Sequence, residues 1–439
     1  MFSGRSPGVC RAGAARRTHP ESQRMPRRFD VIVLGAGMVG VGVAVHLQQR
    51  GRAVALVDRK PPGSETSMGN AGLIQREGAV PYAFPRDLAT LLRYARNTAP
   101  ELRYHLRDLP ALAPFLWSYW RNSEPARHRA IARAYEPLIR HCLDEHRDLA
   151  AQAGALALLR PSGWMRVYRG EAALAAELLA IERTRQEFGV AYEALDAAAL
   201  QRAEPALRPG LAGAVRYIDP VPCSDPQALV QAYAAHLREL GGELLQGDAA
   251  TLREGWSVQA EGGPIQAPEV VVALGPWAQP LTRRLGLRLP LAVKRGYHMH
   301  YGVGGPALRQ PVLDAERGYL LAPMRRGLRL TTGAELARLD AAPTPRQLDA
   351  VEPLARELLA PGGLGERLDP QPWMGQRPCT PDMMPLIGPA PRLRGLWLAH
   401  GHAHHGFTLG PVTGRLLAEM MCGQPTLVDP TPYLPSRFA

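Results

Sequence analysis

Apolar positions along the chain fall into two patterns. Unbroken runs of strand length read as strands buried on both faces, and stretches with apolar residues every three or four positions read as helices. Phe29-Asp30-Val31-Ile32-Val33-Leu34 is the first such run. Val41 to Arg50 follows as a helix with Val41, Ala44, Val45 and Leu47 on its apolar face, and Gly51 ends it. Ala53 to Val57 is a second buried strand that closes at Asp58. After a loop from Pro61 to Gly72, residues 85–150 read as helical. Strands are predicted at 163–169 and 214–218, around a helix at 171–188. A helix spans Asp225 to Leu240, with Asp225 near its start and Gly241-Gly242 beyond its end. Val270 to Gly275 is another buried strand. Residues 290–335 read as antiparallel strands and 345–359 as a helix. Leu396 to Ala399 is a last short strand, before a Gly/His loop and a helix from Gly410 to Met421. No internal repeat is visible.

This order of elements predicts an α/β protein. A length of 439 residues suits two or three domains, and 46% hydrophobic content supports a large core. No run of 18 apolar residues occurs, so no membrane-spanning helix is expected. The net charge of +12 invites a nucleic-acid reading, but half of the excess sits in residues 1–29, which carry seven Arg and one Glu. No aromatic-plus-basic motif accompanies it, so no nucleic-acid partner is expected. Residues 1–27 read as a disordered leader or a mis-started stretch upstream of Met25. Cys10, Cys142, Cys223, Cys379 and Cys422 are scattered without a CxxC pair, which points to a reducing, cytoplasmic setting.

Gly35, Gly37 and Gly40 form G-x-G-x-x-G between the first strand and its helix, and Asp58 stands 18 residues beyond Gly40 at the end of the next strand. In that context the motif is the dinucleotide fingerprint. Gly35 permits the tight turn, Gly37 lets the backbone approach a pyrophosphate, and Gly40 lets helix and strand pack closely. The helix start offers free N–H groups to phosphate, and Asp58 accepts from ribose hydroxyls. The motif by itself does not separate FAD from a nicotinamide cofactor.

Further segments do. They are Glu65-Thr66-Ser67-Met68-Gly69-Asn70-Ala71-Gly72, Val272-Ala273-Leu274-Gly275-Pro276-Trp277, Lys294-Arg295-Gly296-Tyr297-His298, Trp373-Met374-Gly375-Gln376-Arg377-Pro378 with Thr380-Pro381-Asp382, and Gly401 to Gly406 with Gly410-Pro411. In this order the chain resembles the D-amino acid oxidase-like family of FAD-dependent oxidoreductases, most closely its bacterial D-amino acid dehydrogenase branch, which includes D-hydroxyproline dehydrogenase-like members. The resemblance implies a discontinuous Rossmann-type FAD-binding domain from residues 28–78, 219–290 and 366–439. It also implies a substrate domain, with an antiparallel sheet and helices, from 79–218 and 291–365. Cofactor contacts are then expected from Gly35, Ala36, Gly37, Met38, Val39, Gly40, Asp58, Arg59, Thr66, Ser67, Asn70, Ala71, Gly72, Ala249, Ala273, Gly275, Trp277, Gly406, Thr408 and Leu409.

Arg377 is the sharpest substrate candidate, because a guanidinium fork matches a carboxylate in two parallel bonds. Its plain alternative is a surface arginine paired with Asp382. Tyr297 and His298 alternate in a predicted strand, so they face opposite ways, and Tyr297 is the one expected at the substrate. His404 stands where a glycine-oxidase-like relative carries Arg, which implies a different or bulkier substrate. His400, His402, His404 and His405 lack an acid or cysteine at ligand spacing, and no metal is expected. Some family members bind flavin covalently through a Cys before Thr-Pro-Asp. Gly375 holds the comparable position and Cys379 lies at another phase, so non-covalent FAD is expected.

The implied reaction is hydride transfer from the Cα of a D-amino acid or cyclic imino acid, such as D-proline or D-hydroxyproline, to flavin N5. A quinone or other carrier would take the electrons, at the surface of the inner membrane in a peripheral arrangement. The rivals are a glycine- or sarcosine-type oxidase that uses oxygen, and a flavin-binding subunit of a larger dehydrogenase.

Overall fold

The computed structural model describes Gly4 and residues 26–438. Most of the expected leader lies outside the described residues. Arg27 departs from the leader reading, because Arg27–Arg28 forms a short strand parallel to Gly263–Gln266.

Two sheets organise the chain. The first has six strands in the order Glu243–Gln246, Val54–Asp58, Val31–Leu34, Glu269–Val272, Leu396–His400 and Leu386–Pro389. The first five run parallel and the last antiparallel. Alternation sorts their side chains. Val31 and Val33 enter the core beneath the helices Met38–Gln49, Pro226–Glu239 and Gly410–Met421, whereas Ile32 and Leu34 enter a core shared with Val258 and Ile265 of a three-stranded sheet. All four are fully buried, each worth about 1.5–3 kcal/mol. Sheets covered on both faces need such unbroken apolar runs, which is why these strands stand out in the sequence.

The helix Met38–Gln49 meets Gly410–Met421 glycine to glycine. A Cβ on Gly42 would lie 2.7 Å from the Gly410 carbonyl oxygen, and one on Gly414 would lie 2.3 Å from the Gly42 carbonyl carbon. This close crossing brings both helix starts to the carboxyl end of the parallel strands, where open α/β sheets bind ligands.

The second sheet has ten strands. Along its path run Leu102–Tyr104, Ala334–Leu336, Ala292–Tyr301, Gly327–Thr331, Tyr319–Met324, Val312–Asp314, Trp164–Tyr168, Gly213–Tyr217 and Tyr192–Asp196, while Trp373–Cys379 pairs with Ala292–Tyr301 off that path. Two junctions are parallel, Val312–Asp314 on Trp164–Tyr168 and Ala334–Leu336 on Leu102–Tyr104, so the sheet is mixed rather than wholly antiparallel. The strand Trp373–Cys379 lies within the stretch 366–439 that the sequence reading gives to the cofactor domain. Its hydrogen bonds place it in the second sheet, with Lys294 opposite Arg377 and Gly296 opposite Gly375.

The region 85–150 holds the helices Leu88–Ala95, Leu109–Asn122, Pro125–Arg140 and Cys142–Gln152, interrupted by the strand Leu102–Tyr104. The strand Tyr192–Asp196 is absent from the sequence reading. It is an edge strand with no fully buried position, so it carries no apolar run to announce it. No helix among the described residues is long and apolar enough to cross a membrane.

Candidate active site

One cavity of about 1020 Å³ extends from the Gly35–Gly40 turn to the strands Ala292–Tyr301 and Trp373–Cys379. The three glycines of the turn differ physically. A Cβ on Gly35 would lie 2.5 Å from the Ala273 carbonyl oxygen, and one on Gly40 would lie 1.8 Å from the Gly35 carbonyl oxygen, so these two serve packing. A Cβ on Gly37 meets only the Ser67 hydroxyl, at 3.4 Å, and otherwise projects into free space beside the helix start. That is a cradle that only a side chain would fill, as a pyrophosphate site requires.

Asp58 ends the second parallel strand at the cavity wall. One carboxylate oxygen accepts the Ala36 N–H at 2.7 Å and the other accepts the Lys60 N–H at 3.0 Å. It therefore clamps the glycine turn while lining the cavity. Arg59 lies over the Trp277 ring at 4.8 Å, and both line the cavity with Ala249 and Gly275. Ala36, Met38, Val39 and Ala273 also line it.

In the 66–72 loop, Thr66, Ser67, Asn70 and Ala71 line the cavity. Their polar groups are partly committed. The Ser67 hydroxyl accepts the Met38 N–H at 3.0 Å, the Thr66 hydroxyl donates to the Gln376 carbonyl at 3.2 Å, and Asn70 Oδ1 accepts the Gly72 N–H at 2.8 Å. Gly72 and Gly40 stand behind the wall. Thr408 and Leu409 stand there too, with the Thr408 hydroxyl donating to the Leu73 carbonyl at 3.1 Å, while Gly406 and Phe407 reach the cavity. Arg329, missed in the sequence reading, is buried and donates to the Met68 carbonyl at 2.9 Å and to the Asn70 carbonyl, which ties this loop to the second sheet.

At the other end of the cavity stand Arg377, Lys294, His404, Tyr82 and Tyr119. Alternation along the paired strands puts Lys294 and Gly296 on the same face as Gly375 and Arg377. Gly296 makes room for the guanidinium: a Cβ there would lie 2.7 Å from Arg377 Nη1. Arg377 makes one hydrogen bond, from Nη1 to the Arg295 carbonyl at 3.3 Å. Asp382 is not its partner, because that carboxylate is taken by Arg437 at 2.9 Å. Burial holds the Arg377 pKa below its usual value. His404 packs against Tyr82, with ring centroids 4.7 Å apart. Burial and the cations Arg377 and Lys294 drive its pKa well below the ordinary histidine value, so it is neutral and offers one donor and one acceptor. Lys294 and Tyr119 were also missed. Lys294 opens one of the segments that carry the resemblance, and a second local signal was rarity, since only two of the 52 basic residues are lysines, Lys60 and Lys294.

Tyr297 departs from expectation. It contributes to the wall, but its hydroxyl donates to Glu335 at 2.7 Å and accepts from Arg295 at 2.9 Å and from the Thr344 N–H at 2.8 Å. That hydroxyl belongs to a buried polar cluster around Arg295. His298 alternates onto the Arg377 face and stacks on Trp373, centroids 4.8 Å apart.

The histidine tract is dispersed: His402 bonds the Thr413 hydroxyl at 2.9 Å and His405 the Tyr135 hydroxyl at 2.8 Å. Burial pushes His402 down to about 3 and His400 and His405 to about 4. Among the described residues, His298, His300 and Asp369 come together at ligand spacing, but Arg329 Nε already contacts His300 Nε2 at 3.0 Å, and a fixed cation there opposes a metal ion. Cys379 is fully buried, its thiol pKa raised by that burial, which marks an inert side chain.

The chain matches the FAD dependent oxidoreductase family over residues 30–420. It is 30% identical over 429 residues to a D-amino-acid oxidase of Bradyrhizobium diazoefficiens, covering 94% of this chain and 100% of that one. It is 33% identical over 414 residues to a D-amino acid dehydrogenase of Cereibacter sphaeroides, covering 90% and 92%. Among solved structures, a glycine oxidase from Geobacillus kaustophilus superposes with a TM-score of 0.70 at 24% identity, covering 94% of this chain and 100% of that one.

Proposed function

The chain belongs to the family of FAD-dependent oxidoreductases, and within it we propose that the protein oxidises the Cα–N bond of a D-amino acid or cyclic imino acid. The observation that carries this reading is Arg377. It is a guanidinium at the cavity wall that has no carboxylate partner among the described residues and spends one N–H group, on a backbone carbonyl. Bound FAD, held without a covalent link, supplies the hydride acceptor.

The chain's own residues do the rest. The Gly37 cradle, the open N–H groups after Met38 and the Asp58 carboxylate hold the cofactor's phosphate and ribose. Arg377 takes the substrate carboxylate in its fork, which orients Cα toward the far side of the cavity. Neutral His404 offers an acceptor nitrogen that orients the amine N–H. Buried Tyr119, and the Tyr82 ring packed on His404, wall that end of the cavity. Hydrolysis of a resulting imine gives a 2-oxo acid and ammonia, whereas a cyclic imine persists or is opened by water to an amino 2-oxo acid.

An anaerobic screen of the holoenzyme against D- and L-amino acids, with D-proline and the hydroxyprolines, tests this. Bleaching of the flavin by D-forms is expected. No bleaching by any of them sinks the reading. Readmitting oxygen separates dehydrogenase from oxidase, since a dehydrogenase yields little peroxide while a quinone analogue restores the colour.

The acceptor reading extends to a membrane surface. The helix Leu88–Ala95 has no buried residue, although it carries three leucines. Leu88, Leu92, Leu106 and Trp117 are each at least 60% exposed, beside Arg86, Arg93 and Arg107. Residues 82–85, which lead into this helix, line the cavity. Such a basic, apolar patch fits an anionic lipid surface. The holoenzyme is expected to sediment with anionic vesicles at low salt, and the double variant Leu88→Asp, Leu92→Asp to lose most of that binding. Equal sedimentation of the two would place the contact elsewhere.

A further inference from the structure

Two cations stand against one wall of the cavity with no acid between them. Lys294 and Arg377 are direct cross-strand partners on the cavity face. Like charges in that position repel. Neither makes a salt bridge among the described residues, and the neighbouring His404 is neutral, so no described residue balances them. The acids that line the cavity stand elsewhere: Asp58 clamps the glycine turn, Glu65 pairs with Lys60 at 2.7 Å, Glu101 pairs with Arg93, and Asp248 accepts the Ala250 N–H at 2.8 Å.

The donors are unspent. Arg377 uses one of its five N–H bonds inside the protein. Lys294 Nζ uses one of three, to the Tyr119 hydroxyl at 3.0 Å, and lies 4.2 Å from the centre of that ring. The Tyr119 hydroxyl in turn donates to the Tyr82 carbonyl at 2.7 Å, which fixes the lysine head in place. The residue type is informative as well. This chain uses arginine for nearly every cation, and its other lysine is an exposed ion pair with Glu65. Lys294 is 7% exposed. A single carboxylate is satisfied by the arginine fork alone, which leaves the lysine charge without an anionic partner.

We propose that the site takes amino or imino acids that carry a second carboxylate, with the α-carboxylate on Arg377 and the second on Lys294. This rests on the reading that Arg377 grips a carboxylate. Each added anionic group then meets a cation with free protons, and the paired charges that destabilise the empty wall become complementary to the ligand.

The test is calorimetric titration of the holoenzyme with succinate, glutarate and butyrate, which bind without being oxidised. The wild type is expected to bind the better dicarboxylate about tenfold or more tightly than butyrate. Lys294→Met should bring that ratio close to one, and Lys294→Arg should restore it, with flavin content reporting that each variant is folded. Equal affinities for butyrate and both dicarboxylates in the wild type overturn the proposal, and so does a ratio unchanged in Lys294→Met. If Lys294→Met loses its flavin, the wild-type ratio decides together with Lys294→Arg. Arg377→Met separates the two readings. Loss of all three ligands supports both, whereas butyrate binding that survives it overturns the role of Arg377 while the lysine ratio is still read independently.

Discussion

Replacing Gly37 by valine will strip the protein of FAD and leave its fold standing. The three glycines of the turn make this contrast sharp. A Cβ at Gly35 or Gly40 collides with backbone oxygens at 2.5 and 1.8 Å, whereas one at Gly37 meets a single hydroxyl at 3.4 Å. Gly37 also has an ordinary extended backbone, φ −75°, which valine adopts without strain. The branched side chain instead occupies the space where a pyrophosphate approaches the helix start. Losing charge-assisted contacts worth about 1.5–3 kcal/mol each should weaken FAD binding by about a hundredfold or more. Flavin absorbance per protein, with the melting temperature of the apoprotein, checks it. Gly40→Val is the control and should fail to fold. Normal flavin content in Gly37→Val would mean that the phosphates lie elsewhere.

Arg377→Lys keeps the charge and loses the fork. Carboxylate substrates should lose roughly tenfold to a hundredfold in apparent affinity, the worth of a charge-assisted hydrogen bond. Flavin content should not change, because Arg377 stands on the second sheet, away from the glycine turn. Amino acid amides should be poor substrates of the wild type and lose little further in the variant. Equal losses for acids and amides would make Arg377 a structural residue. Its surroundings argue otherwise: the structural arginines Arg437 and Arg329 each spend several N–H groups, Arg437 on Asp382 and the Met384 carbonyl and Arg329 on the Met68 and Asn70 carbonyls, while Arg377 spends one, on the Arg295 carbonyl.

The cofactor end was legible because its signals are local. The run Val31–Leu34, the spaced glycines and Asp58 lie within thirty residues of one another, and each position answers to its immediate neighbours: an apolar run to burial on both faces, glycine to close backbone approach, an acid to the strand end. The same holds for the closing helix, predicted and found from Gly410 to Met421.

The substrate end was decided by tertiary pairing. Alternation told that Tyr297 and His298 face opposite ways, but not which way, because Ala292–Tyr301 is buried at nearly every position and carries polar side chains on both faces, Lys294, His298 and His300 on one and Arg295 on the other. Only its register against Trp373–Cys379, a strand about eighty residues away in sequence, turns Lys294 and Gly296 toward Arg377 and sends the Tyr297 hydroxyl to Glu335. The sequence by itself determined the strand–turn–helix, its dinucleotide chemistry and an arginine suited to a carboxylate. Which side chains share the cavity with that arginine depended on hydrogen bonds between distant strands, and a period of two leaves both faces open until a partner strand is set beside it.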